Sequence, residues 1–440
     1  MLFTQSYSTA RKRGIVQPGS KQFCLAIGTM CVSIGTYAIT ARTLGLTEFG
    51  SYAFLHWVAT VSTPLIGIGM TTLSSSQLVS LQSRETLSSI AGIFYFLWDR
   101  QYRKIWLYGL LYLLLALPFY QVFHIGTPWL LLFSNLAILP LFLNNIVAIT
   151  LRSLRRADLL AILRLGGEII TLSLIVVASQ INGERLETFL LAFALAGTLT
   201  LILAVVYITR QLPQQTAQPP GIFLCQRLEQ SFIHTPLPLL IDVIIWQQSE
   251  VLLLGLWWGP AEMGLYTISV LISSSIIQIT PFLLSTWILP FFLRRQQGQH
   301  YLSPYDAFVK TSCYMAFLAV PICILVMFSS PYLVRFGLGA DYLPLVKPLR
   351  ILLISSVFGS IATVSLTRLT TNGWQKATQS INMVAALLNI VLAIPCTLYW
   401  GINGAALACM IAQITSAAGS MVLCGRLLLK QDMMSAKDVP

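Results

Sequence analysis

The sequence predicts an all-α polytopic membrane protein, with about twelve transmembrane helices in two parallel six-helix repeats around a central cleft. Three observations predict it: a charge-poor, apolar composition, uncharged runs long enough to span a bilayer, and one eight-residue pattern that occurs twice. Of 440 residues, 56% are hydrophobic and only 10% charged, with a mean hydropathy of +0.76. A soluble domain carries about 25% charged residues, so the chain belongs in a membrane.

A spanning helix needs roughly 20 mostly apolar residues. Residues 105–151 contain no Asp, Glu, Lys or Arg over 47 positions and are interrupted only by HIGTP at 124–128, which predicts two spans and a tight hairpin. The 49 uncharged residues from Ala377 to Gly425 are broken by WGING at 400–404 and predict another. Continued along the chain, this reading places spans near 22–44, 51–73, 105–123, 128–149, 160–180, 187–208, 237–258, 264–290, 307–329, 344–367, 377–399 and 402–424. Runs such as LLYLLLAL at 110–117 do not alternate, which excludes a β-barrel. Backbone polar groups in hydrocarbon must then be satisfied within helices.

The twelve spans sort the basic residues. Twenty-two of the 27 Lys and Arg fall on the side of both termini, and only Arg42, Arg185, Arg335, Lys347 and Arg350 on the other. The positive-inside rule puts both termini in the cytoplasm. This bias accounts for much of the net charge of +12, so no nucleic-acid partner is expected. The basic clusters RSLRR at 152–156 and RQYRK at 100–104 are open to a second reading, as docking points for anionic lipid.

The first twenty residues lack the apolar core of a cleaved signal, so the first span is expected to be retained. Eight cysteines and four histidines are scattered, without C-x-x-C or paired Cys/His spacing, and predict neither a metal nor a disulfide framework. The connections on the Arg42 side are too short to fold as domains, and no phosphate-cradling glycine loop occurs. Neither a cofactor nor an enzymatic activity is expected. Residues 74–98 read as an amphipathic helix along the inner surface.

The repeated pattern is GLTEFGSY at 45–52 and GPAEMGLY at 259–266, 214 positions apart. In each copy Gly45 or Gly259 lets the backbone turn after a span, and Glu48 or Glu262 suits the positive N-terminus of the next. Gly50 or Gly264 permits close packing, and Tyr52 or Tyr266 is expected at interface depth. The copies join spans one to two and seven to eight, so the duplicated unit is six helices and the repeats are parallel. Ile181-Asn182-Gly183 and Ile402-Asn403-Gly404 echo it more weakly. The domains expected are a first bundle over 1–208, a cytoplasmic linker over 209–236, and a second bundle with a cytoplasmic tail over 237–440.

TYAITARTLGLTEFGSYAF at 36–54, IWQQSEVLLLGLWWGPAEMGLYTIS at 245–269 and YWGINGAALACMIAQ at 399–413 resemble the polysaccharide-transporter branch of the multidrug/oligosaccharidyl-lipid/polysaccharide exporter superfamily. Its members are O-antigen and exopolysaccharide repeat-unit flippases. The resemblance implies a carrier in the bacterial cytoplasmic (inner) membrane that moves an undecaprenyl-pyrophosphate-linked oligosaccharide to the outer leaflet. It further implies a cationic cavity, a proton or sodium gradient as driving force, and a polysaccharide polymerase and chain-length regulator beside it among membrane lipids. An ion-coupled drug or cation antiporter of the same superfamily is the alternative, and a membrane glycosyltransferase or polymerase is disfavoured by the short loops.

An anionic pyrophosphate-linked sugar needs positive charge shielded from lipid. Arg42, Arg350 and Arg368 are the candidates, each also readable as a cation snorkelling from a helix end. Asp242, Glu250 and Glu168 fall inside spans, where a central carboxylate costs on the order of 3 kcal/mol. Asp242 and Glu250 are eight residues apart, about 12 Å along a helix and some 80° around it. All three are ion-coupling candidates, with a structural ion pair as the other reading. Pro281, Pro290, Pro321 and Pro395 permit kinks. Trp257-Trp258 and Tyr399-Trp400 read as interface anchors.

Overall fold

The computed structural model describes residues 18–66, 87–102, 129–154, 156–181, 185–212, 249–283 and 303–437, together with residues 106, 109, 110 and 113. In chain order the helices are α1 (Pro18–Ile66), α2 (Leu87–Tyr102), α3 (Trp129–Ser153), α4 (Ala157–Ile181), α5 (Leu186–Gln211), α6 (Ser249–Trp258), α7 (Pro260–Leu283), α8 (Pro304–Gly337), a 3-10 turn (Ala340–Leu345), α9 (Val346–Thr371) and α10 (Gln375–Lys437). No strand occurs among the described residues.

Two of these helices are hairpins. α1 breaks at Gly45, whose φ of 76° is available to glycine at little cost. A straight helix would hold residues 37 and 56 about 28 Å apart, yet the Tyr37 hydroxyl meets His56 Nδ1 at 3.2 Å. α10 breaks at Gly401, with φ 56°. Its two arms touch where Gly404 lies on the Cys396 backbone, so closely that a Cβ at Gly404 would stand 1.8 Å from the Cys396 carbonyl oxygen. Gly259, with φ 90°, makes the matching break between α6 and α7. Trp258 Nε1 donates to the Thr397 carbonyl at 2.9 Å, fastening the end of α6 to the α10 hairpin.

Among the described residues eight helical segments are long and apolar enough to cross a membrane, α1 and α10 each counted once. Most of the expected third span and the first half of the seventh lie outside the described residues, as do Asp242 and the Ile181-Asn182-Gly183 turn beyond Ile181. From Leu87 the 74–98 segment is α2, with Ala91, Phe94 and Leu97 buried in one cluster with Phe142 and Ile146 of α3. One expectation needs correcting. The outer connection expected over 330–343 is helical as far as Gly337. The helices pass through charges and prolines alike: Asp99 lies within α2, and Pro331 and Arg335 within α8. Neighbouring helices can satisfy the backbone groups a membrane proline frees.

The helices up to α5 pack on one another, as do those from α6 onward, and the broad contact between the two sets is α1 against α7. Small residues let the backbones approach, as membrane packing favours. Gly167 lies against Thr200 and Gly197 against Pro140 in the first half, and Gly359 against Ile277 in the second. Ser356 Oγ of α9 donates to the Ser273 carbonyl of α7 at 2.9 Å. One buried cluster takes in both halves, with Phe49, Leu55 and Phe189 beside Tyr266, Leu345 and Ile402. The cluster around Phe142 stays in the first half and the cluster around Met315 in the second.

Candidate functional site

The two copies of the repeated pattern meet each other. A Cβ built on Gly264 would stand 3.1 Å from the Gly50 Cα and 3.0 Å from Phe49 Cδ1. One built on Gly50 would stand 1.8 Å from the Pro260 carbonyl oxygen. No side chain fits at either position without moving backbone. Around this point Phe49 and Met263 are fully buried, and Tyr52 and Tyr266 are 2% and 1% exposed. The two tyrosines lie in the core between the halves, because the second helix of each hairpin turns that face toward its counterpart. Glu48 is exposed and Glu262 half-buried, each early in the helix that follows its glycine break.

A second link joins the halves at this end. Tyr342, in the turn between α8 and α9, donates its hydroxyl to the Ala41 carbonyl at 2.7 Å, and its ring meets Phe49 edge-on at 6.3 Å. Replacing Tyr342 with Phe keeps the ring contact and removes the bond, weakening this junction by about 1 kcal/mol, or roughly fivefold in its opening equilibrium. Faster amide hydrogen exchange over 41–52 and 259–266, with exchange elsewhere unchanged, is the expected result.

Glu250 is the most deeply buried carboxylate described, at 2% exposure in the first turn of α6. Asn389 Nδ2 donates to its Oε1 at 2.7 Å. Asn389 belongs to α10, so α6 and α10 meet at this acidic group. Asn389 Oδ1 and Ser249 Oγ are buried there without hydrogen-bond partners. A buried carboxylate with a neighbouring amide oxygen and hydroxyl left over has the donor set for a proton or small cation. Asn389 was not found from the sequence. The available signal was an amide in the middle of an otherwise uncharged span.

The other candidates do not join Glu250. Arg42 and Arg350 are exposed, Arg42 directly after the carbonyl that Tyr342 bonds and Arg350 early in α9. Arg335 and Lys347 are exposed at the same end. Arg368 is half-buried at the opposite end of α9, with its Nε unpartnered and Cys424 within electrostatic reach. Glu168 is half-buried in α4, which packs on α1. No group of three metal-binding side chains gathers among the described residues.

This arrangement of hairpins is similar in fold to several solved transporters. The lipid II flippase MurJ in an inward closed conformation aligns at TM-score 0.70 and 16% identity, over 95% of this chain and 93% of that one. An inward-facing multidrug resistance MATE family transporter of the MOP superfamily aligns at 0.64 and 13%, over 96% and 97%. An outward-facing MATE family transporter aligns at 0.55 and 12%, over 94% and 97%. None of the curated proteins matches the sequence. The family described as "Polysaccharide biosynthesis protein" matches residues 39–347, and the chain belongs to it.

Proposed function

We propose that the chain is a flippase that carries an undecaprenyl-pyrophosphate-linked oligosaccharide repeat unit from the inner to the outer leaflet of the bacterial inner membrane, for surface polysaccharide biosynthesis. The observation that carries this reading is the junction of the two halves at the Gly50–Gly264 end, in a chain of the polysaccharide biosynthesis family. With both termini cytoplasmic by charge bias, that end is the outer one, and the state is closed to the outside. The better alignment with inward than with outward conformations supports this orientation. The bundles over 1–208 and 237–440, joined by the 209–236 linker, then rock about the junction.

The cargo is anionic at its pyrophosphate and polar at its sugars, so it needs cations along a path sheltered from lipid. Arg42 and Arg350 stand at the outer end, where the pyrophosphate must be released, and Arg368 at the inner end, where it is taken up. Glu250, with Asp242 on the same predicted span, takes up a proton or cation, and neutralising it offsets the cost of closing the cleft around it. Glu168 serves the first half in the same way. A polymerase and a chain-length regulator receive the product on the outer face. A drug or cation antiporter is the second reading, favoured by the MATE likeness.

Deleting the gene in its host tests the choice. Build-up of lipid-linked repeat units on the inner leaflet with loss of surface polysaccharide, restored by the wild type, is expected. Normal polysaccharide in a host without a second flippase would turn the assignment toward the antiporter.

A further inference from the structure

We propose that Arg368 and the cations around it form a docking site for the phosphate of an anionic phospholipid in the inner leaflet. α8, α9 and α10 meet at that end in one buried cluster, which takes in Phe308, Leu369, Cys424 and Leu428, with Tyr305 and Trp374 packed against it. A cation stands one or two residues from five of these. Lys310 follows Phe308, Arg368 precedes Leu369, Lys376 follows Trp374, Arg426 follows Cys424 and Lys430 follows Leu428. The four besides Arg368 are exposed. The acids on these three helices are Asp306 and Asp432, so the end is strongly cationic. In the sequence these cations are spread from 310 to 430 and form no contiguous cluster, and the fold gathers them.

A bias of cations toward the cytoplasm accounts for their number, but not for the state of Arg368. This residue is half-buried, and its Nε is shut off from solvent without an acceptor. No hydrogen bond or ion pair reaches its side chain from the described residues. A guanidinium carries five donors, and holding it unpaired in an apolar setting is costly. The protein thus keeps a part-buried cation that lacks an anion. Phosphate is the anion whose oxygens match the planar fork, and the lysines at the rim add point charges. Basic pockets between membrane helices on the cytoplasmic side are where anionic head groups bind.

The surface beside the cations fits the rest of a phospholipid. From Lys310 to Val320 α8 covers about 15 Å, half of a bilayer core. Along that stretch Tyr314, Phe317 and Val320 are 44%, 76% and 39% exposed. A head group at Lys310 and Arg368 would lay its acyl chains over this wall, which a water-soluble phosphate would not use. Among the described residues no member of the cluster belongs to α7 or to the first half. α7 is the helix that meets the first half, so the patch is turned to the bilayer and not to the cleft. The cargo's pyrophosphate has the same chemistry, but its path runs between the halves. The proposal therefore gives Arg368 a phosphate of the bilayer in place of the cargo's, and Arg42 and Arg350 keep the cargo role.

The test is native mass spectrometry of the full chain in detergent, with phosphatidylglycerol, phosphatidylcholine or undecaprenyl pyrophosphate added. Phosphatidylglycerol should bind more tightly than phosphatidylcholine. Lys310→Gln combined with Lys376→Gln should weaken it by about fivefold for each cation removed. Both positions are exposed, so this result does not turn on folding. Arg368→Lys keeps the charge, loses the planar fork and should weaken binding as well. Arg156→Gln combined with Arg210→Gln removes two exposed cations of the first half and should leave binding as in the wild type. Equal weakening by the two double variants would mean a diffuse field and would overturn the proposal. So would phosphatidylglycerol held no more tightly than phosphatidylcholine, or an Arg368→Lys chain with unchanged affinity. If the variants lose undecaprenyl pyrophosphate and not phosphatidylglycerol, the site is the cargo's and the proposal falls while the flippase reading gains. Normal polysaccharide in the deletion host, with phosphatidylglycerol bound as described, sinks the flippase reading and leaves the lipid site standing.

Discussion

Gly50→Val is expected to abolish transport while leaving the protein in the membrane. Its Cβ would sit 1.8 Å from the Pro260 carbonyl oxygen and 2.4 Å from the carbonyl carbon, and neither is a flexible side chain. Overpacking of this kind costs about 1–3 kcal/mol where atoms can yield, and backbone in a helix start yields less. Each 1.4 kcal/mol is tenfold in an equilibrium, so the closed outer end becomes a minor state. A carrier held open to one side binds and releases on that side only. The check is restoration of surface polysaccharide in the deletion host, with membrane levels measured alongside. Gly35→Ala is the control, because a Cβ at Gly35 meets nothing within 4 Å. Full restoration by Gly50→Val would mean that closure at this point is not part of the cycle.

The second large effect is expected at Glu250. Glu250→Gln keeps the size of the side chain and an oxygen for Asn389 Nδ2, while removing the group that can change charge. Transport should fall at least about tenfold, the scale on which losing a coupling ion acts, while thermal unfolding shifts little, since the packing around α6 is preserved. Asn389→Ala separates the roles, for it leaves the carboxylate buried without its amide. That should destabilise the protein by about 1–3 kcal/mol. If Glu250→Gln transports at the wild-type rate, the carboxylate is structural and the ion-coupling role fails.

The sequence was most legible where the physics is local. Uncharged runs gave the helical class, because hydrocarbon forces each backbone to satisfy itself within its own segment. The glycines of the repeated pattern marked the hairpin breaks, since a reversal of that tightness needs a positive φ. Helix ends were less legible: the span read near 307–329 belongs to a helix that runs on through Pro331 and Arg335 to Gly337. The tertiary meeting points were not legible at all. Nothing in GLTEFGSY says that its partner is GPAEMGLY, and the pairing of Glu250 with Asn389 spans 139 residues. Glu250 itself was recoverable, because an acid within an apolar span is costly enough to be noticed. Asp242 stands out in the sequence on the same ground and lies outside the described residues.

The meeting of Gly50 with Gly264 has a consequence for how such a chain can change over generations. A residue near a two-fold axis faces its own copy and must be complementary to itself, as in the interface of a homodimer. Several positions of the pattern differ between the copies, Leu46 against Pro260, Thr47 against Ala261, Phe49 against Met263. The two glycines do not. Elsewhere in a core, enlarging one residue can be compensated by shrinking its neighbour, but across this contact there is nothing left to shrink. Suppressors of a Gly50 substitution are therefore barred from Gly264 and must arise in segments that shift the helices themselves. The position is closed to ordinary second-site repair.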